Sequence, residues 1–582
     1  MKTIFPALIA ACFGMMCARA AESGYTLPPI EVSGKASFDT LREESLVPPV
    51  SIPVENARST LLDDLKWNTL FPLQNFGFPS GANGVSLGGR SIDDTQVTTI
   101  GVPLNQAIGG GADLSGFPAF LWSEARIAPT TTSAAFIQQS ASGNLDLSPW
   151  TWSVLKPSME PAAPSRLTLS WDRDLQTASI GTRKSDISIL AGNTFGRQTG
   201  PAGSLSYRFL HKQNLTLHAN VIGTDQQGED PGSTQFPRPV GTEKTTRVIP
   251  SLMARFSGSE GLSVQTTLFG DIQRLQFQNS AFSSLDKTTS IGVENAISVD
   301  HTVFTVSARN TKFTNDQSGS YSEWPAHIGV TQGFDFASGI NLKATGSTEY
   351  LSGFGFFPGG RISSGIPLKP GINLFLEAQA LPKLPGIQDR LYVTPFFTGN
   401  PSVSPERVYA VVAGIEDRSS AIQTKSQIRA ELRRNAILLT DDFSTVQNAG
   451  SAQFLGISEN LRWSPFAFLR LSGDLMATHS RLEKNGKPFP RLPYLSAGGS
   501  LAFIPHDRVT LETQSKWMGR SNETDGSDLP AYLLLGEKIG FSASETLQIT
   551  LGVDNLLDSR IEMIRGFPLP GRVAYASLEM KF

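Results

Sequence analysis

The closing stretch of the chain constrains its fold most. From Ala574 to Phe582 every second residue is apolar (Ala574, Ala576, Leu578, Met580, Phe582), and Tyr575, Ser577, Glu579 and Lys581 form the alternate row. A period of two marks a strand with one apolar and one polar face. Leu547, Ile549, Leu551 and Val553 repeat the pattern against Gln548, Thr550, Gly552 and Asp554. A strand of this kind that stops on a terminal aromatic leaves an open sheet edge unless the sheet closes on itself. The pattern therefore predicts a barrel.

At 582 residues, with 17% charged and 39% hydrophobic residues, the chain exceeds one ordinary domain and its composition excludes wholesale disorder. No run of about 18 apolar residues follows the N-terminus, so membrane residence would have to use strands. Met1-Lys2, the apolar run Ile4 to Cys17 and Ala18-Arg19-Ala20 read as a secretory signal over residues 1–20. A lipoprotein box at Ile9 to Cys12 is the competing reading, against which the apolar run continues past Cys12. Both cysteines, Cys12 and Cys17, fall inside that signal, so the exported chain is expected to build neither a disulfide nor a thiolate metal site. Removing Lys2 and Arg19 takes the net charge from −3 to −5, and this mild acidity argues against a nucleic-acid partner.

Residues 21–56 read as a flexible tether, with Pro28-Pro29 and Pro48-Pro49 bracketing the β-prone island Ile30-Glu31-Val32. Such an island is either a plain linker or a strand that adds to another protein's sheet edge. Residues 57–153 read as a compact α/β unit, with Ser59 as a helix cap, Leu61, Leu62 and Leu65 at helical spacing, and strands at Val85 to Leu87 and Gln96 to Ile100. Gly109-Gly110-Gly111 lacks the strand and helix context of a phosphate loop.

From residue 154 to 582 the chain reads as hairpins. Tight turns are predicted near Lys184, Lys212 to Asn214, Ser257 to Gly261, Asp300, Ser338-Gly339, Lys369 to Gly371, Asp417 to Ser419, Pro465, Pro505 to Arg508 and Ser542 to Glu545. These ten turns imply about 22 strands of roughly 19 residues each, loops included. Longer polar connections are predicted at Gly223 to Lys244, Asn310 to Pro325 and Gly519 to Leu529. Short turns on one rim and long loops on the other are the asymmetry of an outer-membrane barrel.

Four segments, in this order, make the chain resemble a TonB-dependent outer-membrane receptor. Val85-Ser86-Leu87-Gly88-Gly89 with Thr99 to Asn105 is similar to the plug core, and Ser142 to Leu147 to the plug's exit strand. Gly399-Asn400-Pro401-Ser402-Val403-Ser404-Pro405-Glu406 is similar to the mid-barrel signature, and Leu551 to Asp558 with Gly566 to Arg572 to the C-terminal one. The resemblance implies an all-β transmembrane fold, a 22-stranded antiparallel barrel with a small N-terminal α/β plug inside, in the bacterial outer membrane. It assigns Pro29, Ile30, Glu31, Val32 and Ser33 to the segment that binds TonB and its inner-membrane energising complex. It implies contact with the lipid bilayer and lipopolysaccharide, and recognition of Phe582 by the barrel-assembly machinery.

The chain also departs from the family. Arginines and a glutamate that pair plug with barrel in the family are replaced here by Gly88, a position near Pro129, and Ser458. Their joint absence is coherent, since losing one partner alone would strand a charge. Either Arg90, Arg126 and Glu459, one or two positions away, take over the anchoring, or the plug is held differently.

The function that the resemblance implies is energy-coupled uptake of a scarce nutrient, a ferric siderophore or another metal chelate. The plug-apex candidates for contact are Phe76, Phe78, Asn83, Asn105 and Gln106. Gly109 to Pro118 is similar to the cobalamin-receptor branch, which keeps a vitamin cargo open, and a non-transporting or passive surface barrel is a third reading. No enzyme, cofactor or resident metal is expected. The six histidines (His211, His218, His301, His327, His479, His506) show no ligand spacing, and no Gly-x-Ser-x-Gly elbow occurs.

Overall fold

A computed structural model describes residues 46–581 except 49, 54–60, 69–72, 75–82, 88–91, 100, 118, 120–121, 129–142, 150–151, 154–165, 173–176, 182–185, 192–197, 213, 233–236, 259–260, 395–396, 420, 441–443 and 545–546. The signal, the TonB-binding candidates Pro29 to Ser33, Phe76, Phe78, Arg90 and Phe582 thus lie outside the described residues.

One antiparallel sheet dominates. Among the described residues it has 24 strands, and setting aside the two-residue Trp152–Ser153 and the hairpin extension Gly319–Glu323 leaves 22. The last strand, Val573–Lys581, pairs antiparallel with Arg166–Asp172, from Tyr575 opposite Asp172 to Lys581 opposite Arg166. This is the seam that the terminal alternation called for. Hydrogen-bonded pairing runs from Thr177–Gly181 round to Arg166–Asp172, which are consecutive strands along the chain.

Eight of the predicted tight turns span a break between consecutive strands of this sheet; Pro465 falls inside Ala452–Phe466, two residues ahead of the turn, and Lys184 lies outside the described residues. Four of them rest on left-handed residues, Gly261 (φ 74°), Asp300 (φ 52°), Gly339 (φ 81°) and Gly371 (φ 80°). Two predicted loops are corrected: Asn310 to Pro325 is mostly a hairpin, Thr311 to Asn315 pairing with Gly319–Glu323, and Gly223 to Lys244 is mostly ladder, with Leu215–Gly232 paired to Pro237–Ser257 as far as Gly232 opposite Pro237. Strands of 18 and 21 residues exceed the roughly 10 needed to cross a bilayer, so this hairpin projects well past the wall.

Burial along the wall is inverted relative to a soluble sheet. On Ser283–Val299 the buried positions are Ser284, Asp286, Thr288, Ser290, Gly292, Glu294, Ala296 and Ser298, while Ile291 is 69% exposed. Polar side chains turn inward and apolar ones outward, as lipid outside and a wet lumen inside require. Phe466, Phe468, Phe503 and Phe541 stand exposed at the tight-turn rim, with Phe466 and Phe468 stacked at 5.1 Å, the place of an interfacial aromatic belt. No described helix is long and apolar enough to cross a membrane.

Inside sits a five-stranded sheet. Its strands are β1 (Val50–Pro53), β4 (Thr95–Thr99), β5 (Val102–Pro103), β6 (Trp122–Ala128) and β7 (Gly143–Pro149), in the order β1-β6-β7-β4-β5; the short strands β2 (Leu73–Gln74) and β3 (Gly84–Val85) pair separately. The exit strand β7 runs parallel to β4. Helix α1 (Leu61–Leu65) buries Leu61, Leu62 and Leu65, as their spacing predicts. These pack with Val97, Leu104, Leu114 and Trp122, and the same core takes in Ile222, Ile249 and Phe269 from the wall. Plug and barrel therefore share one apolar core. Because β1 pairs with β6, the ordered plug reaches back into the stretch read as tether, and Trp152–Ser153 joins the wall.

Candidate functional site: the plug apex, its lid and its grip on the wall

The apex is a closed loop from Leu104 to Asp113. Asn105 holds it shut: its Oδ1 accepts from Val97 N (2.7 Å), and its Nδ2 donates to Thr95 O (2.8 Å) and Gly110 O (2.7 Å). Gln106 N donates to Gly111 O and Gln106 O accepts from Gly110 N, both at 2.9 Å. Asn83, 1% exposed, donates to Ser115 Oγ (3.2 Å) beneath the loop. Of the three described apex candidates, Asn83 and Asn105 thus have their amides committed to building the loop, while Gln106 is half-buried at its turn.

Arg247, from the long hairpin, secures this loop to the wall. It is 4% exposed, chelates Asp271 (Nε to Oδ1 2.9 Å, Nη2 to Oδ2 2.7 Å) and donates Nη1 to Leu104 O at 2.7 Å. On another side, Lys66 of the plug pairs with Asp554 of the wall at 2.6 Å, and Lys516 donates to Lys66 O (2.8 Å) and Asn68 O (3.1 Å). The Trp67 ring lies where a Cβ on Gly536 would stand, 2.6 Å away, so the bare wall glycine lets the indole seat.

The connection 384–405, which carries the Gly-Asn-Pro signature, folds inward over the apex. Its helix α2 (Ile387–Leu391) donates Gln388 N to Ile108 O at 3.0 Å, and Ile387 packs with Ile108 and Phe313. Arg390 pairs with Glu323 at the end of the hairpin extension Gly319–Glu323, and Tyr392 Oη donates to Asp286 at 2.8 Å. Phe313, Tyr321, Tyr392 and Phe397 form a run of ring contacts with centroids 6.1–6.5 Å apart beside the lid.

Asp389 on this lid accepts from Gly386 N at 2.8 Å. Burial, and then the Asp93 carboxylate, push its pKa up, against the opposing pull of Lys383, Gly386 and Arg390. A raised carboxyl pKa makes the ionised form a cost, which grows as pH rises from the ordinary carboxylate range through the shifted value and is then constant. Asp389→Asn keeps an acceptor for Gly386 and removes that cost. The variant is expected to match the native protein near pH 4 and to exceed its thermal unfolding midpoint by about pH 8, as the linkage requires. An identical pH profile for both proteins would refute it.

The plug's main ionic grip uses residues that sequence reasoning missed. A single 3-10 turn, Ile92–Asp94, presents Asp93 and Asp94 to Lys383 at 2.8 and 2.6 Å, and Asp94 also meets Arg433 at 2.9 Å. Arg433, 2% exposed, pairs in turn with Glu406 and Glu431 of the wall, both at 2.7 Å. Glu459, a candidate for that grip, is half-buried in its strand and stands opposite Ser426 on the neighbouring strand. Arg126 lies in β6 between Ser51 and Asp146. One signal was available: Arg429, Glu431 and Arg433 alternate along Ile422–Arg434, so three charges share one face of a strand.

A wall of 22 strands, polar within and apolar without, filled by a separate domain and capped by an infolded loop, defines a plugged outer-membrane-type barrel. The family model for TonB dependent receptor-like β-barrels matches residues 74–556, and the chain belongs to that family. Among solved structures it is similar to the siderophore receptor PirA from Acinetobacter baumannii (TM-score 0.76, 12% identity, 92% of this chain and 98% of that one). It is also similar to a variant of the ferric enterobactin receptor PfeA from Pseudomonas aeruginosa in complex with enterobactin (TM-score 0.74, 14% identity, 92% and 99%). A third similar structure is the copper transporter OprC (TM-score 0.77, 11% identity, 92% and 98%). No curated protein sequence matches the chain. Members of the family are outer-membrane transporters rather than enzymes, and membership supports nutrient uptake in general.

Proposed function

We propose that the protein takes up a metal chelate, a ferric siderophore or a comparable complex, across the outer membrane in a cycle driven by TonB. The observation that carries this reading is the occlusion: the lumen is filled by a plug sharing its apolar core with the wall, and the lid at 384–405 covers the plug apex. A barrel so closed passes cargo only if work is done on the plug, and a cargo can promote that only by binding the opened state more tightly than the closed one. The aromatic run Phe313, Tyr321, Tyr392 and Phe397 offers flat faces beside the apex, suited to a chelate with exposed rings. The siderophore and copper proteins to which the fold is similar agree with a metal-bearing cargo.

Deletion of residues 28–33 tests the coupling. Uptake by cells carrying the deleted form is expected to fall to the background of cells lacking the protein, while cargo binding by the purified protein is unchanged. Undiminished flux would identify a passive pore. Binding of cobalamin against a panel of ferric siderophores and copper chelates, measured on the purified full chain, separates the cargo classes; preference for cobalamin would overturn the metal-chelate reading.

A further inference from the structure

We propose that the ion lattice around Arg433 is a plug latch of reversed polarity, in which the plug supplies the carboxylates, the wall supplies the cations, and the lid is hinged on the same charges. The proposal deepens the transport reading, on which it rests, by naming what must be released for the plug to move.

Three observations converge on it. The plug side is wholly acidic: Asp93 and Asp94 reach Lys383, and Asp94 reaches Arg433. The wall's own carboxylates are already neutralised from within the wall, since Arg433 spans Glu406 and Glu431, and the other oxygen of Glu431 is taken by Arg429 at 2.7 Å. Arg433 therefore does in cis what a plug arginine would otherwise do, which accounts for the glycine at position 88 without leaving an unpaired wall carboxylate. Finally, Lys383 and Glu406 face each other across the ladder as the last residue of one strand and the first of the next. The lid leaves the wall at Lys383 and returns to it at Glu406, so both of its roots belong to the latch.

The second oxygen of Glu406 accepts from Ile437 N at 3.1 Å, which ties in the root of the following connection as well. With Lys383, Asp94, Glu406 and Arg433 each less than 4% exposed, moving Asp93 and Asp94 away would strip Lys383 of the two carboxylates paired with it and leave Arg433 to Glu406 and to Glu431, which Arg429 shares. Plug displacement and lid release are thus parts of one event.

The test is ion conductance of the purified full-length protein in planar bilayers, where no TonB is present. Asp94→Asn is expected to raise the open fraction on the order of 100-fold, the consequence of removing one partner from a buried network. Asp94→Arg alone sets a cation against Lys383 and Arg433 and is expected to leak at least as much. Asp94→Arg combined with Arg433→Gln places a plug arginine before Glu406 and Glu431 and is expected to restore the closed state. Electrophoretic migration before and after heating reports whether each barrel is folded, and Asp93→Asn serves in place of Asp94→Asn should the latter fail that check. A folded Asp94→Asn barrel as tight as the native one, or a double variant no tighter than Asp94→Arg, would overturn the latch. Undiminished uptake after deletion of residues 28–33, with the conductance results as expected, would instead count against the coupling reading and leave the latch standing.

Discussion

Replacing Arg247 with Leu is expected to cost about 3–5 kcal/mol of stability, the usual penalty for stripping one partner from a buried ion pair. Asp271, 6% exposed, would lose both of its guanidinium hydrogen bonds and be left charged in a dry site. Leu104 O would lose its donor in the same step, so part of the damage is local to the plug apex. Arg247→Lys should rescue little, because an ammonium cannot chelate the carboxylate with two parallel bonds while reaching Leu104 O. The double variant Arg247→Leu with Asp271→Leu separates the two effects. It removes the stranded charge, so the thermal midpoint should recover towards the native value, whereas amide hydrogen exchange at residues 104–112 should stay fast. Native exchange rates in the double variant would show that the loop is held by Asn105 alone.

That division of labour at the apex shows what the sequence can and cannot disclose. Eight of the ten tight turns were legible because a hairpin turn is local: a polar or glycine break between alternating segments is written in consecutive residues. The seam was legible for the same reason, since apolar residues alternate along Leu167 to Trp171 and along Ala574 to Phe582. The hairpin spanning 223–244 reads as a loop because beyond the lipid both of its faces meet water or protein, and the apolar row that marks a strand disappears. The apex candidates stand out as polar residues in glycine-rich loops, and the structure explains why two of them are polar: Asn83 and Asn105 satisfy groups of their own loop.

The anchoring charges were harder still. Asp93 and Lys383 are 290 positions apart, and nothing local marks them as partners. What the sequence did disclose was a deficit, arginines missing from the plug, and the expectation of a neighbouring replacement assumed that polarity is kept. Physically only pairing must be kept, and reversing both signs preserves it. The alternating row Arg429, Glu431, Arg433 was the visible trace of that reversal.

Gly399→Ala is expected to open the lid. A Cβ there would stand 2.7 Å from the carbonyl carbon of Arg390 and from Leu391 N, and 2.8 Å from Gln388 O, all of them backbone atoms that no rotamer change can clear. The segment at Gly399 lies directly across α2, with Gly399 N donating to Tyr392 O and Asn400 N to Asp389 O, both at 2.7 Å. Inserting a methyl group between them forces the helix away, at about 1–3 kcal/mol for overpacking of this kind. The helix is not free to yield harmlessly, because Arg390 is paired with Glu323, Tyr392 with Asp286, and Gln388 N with Ile108 O. Moving it loosens all three, and the apex loses its cover. Limited proteolysis after Arg390 should therefore run roughly tenfold faster or more in the variant, the factor that about 1.4 kcal/mol of local destabilisation gives when cleavage follows the open population. Gly346→Ala, where a Cβ meets nothing within 4 Å, is the control and should behave as the native protein does. Equal cleavage of both variants would mean that the signature glycine serves something other than the close crossing of these two backbones. Accelerated cleavage confined to Gly399→Ala would give the Gly-Asn-Pro wording, recognisable in the sequence only as a family mark, a physical role: it lets a connection between two wall strands fold flat enough to lie on the plug.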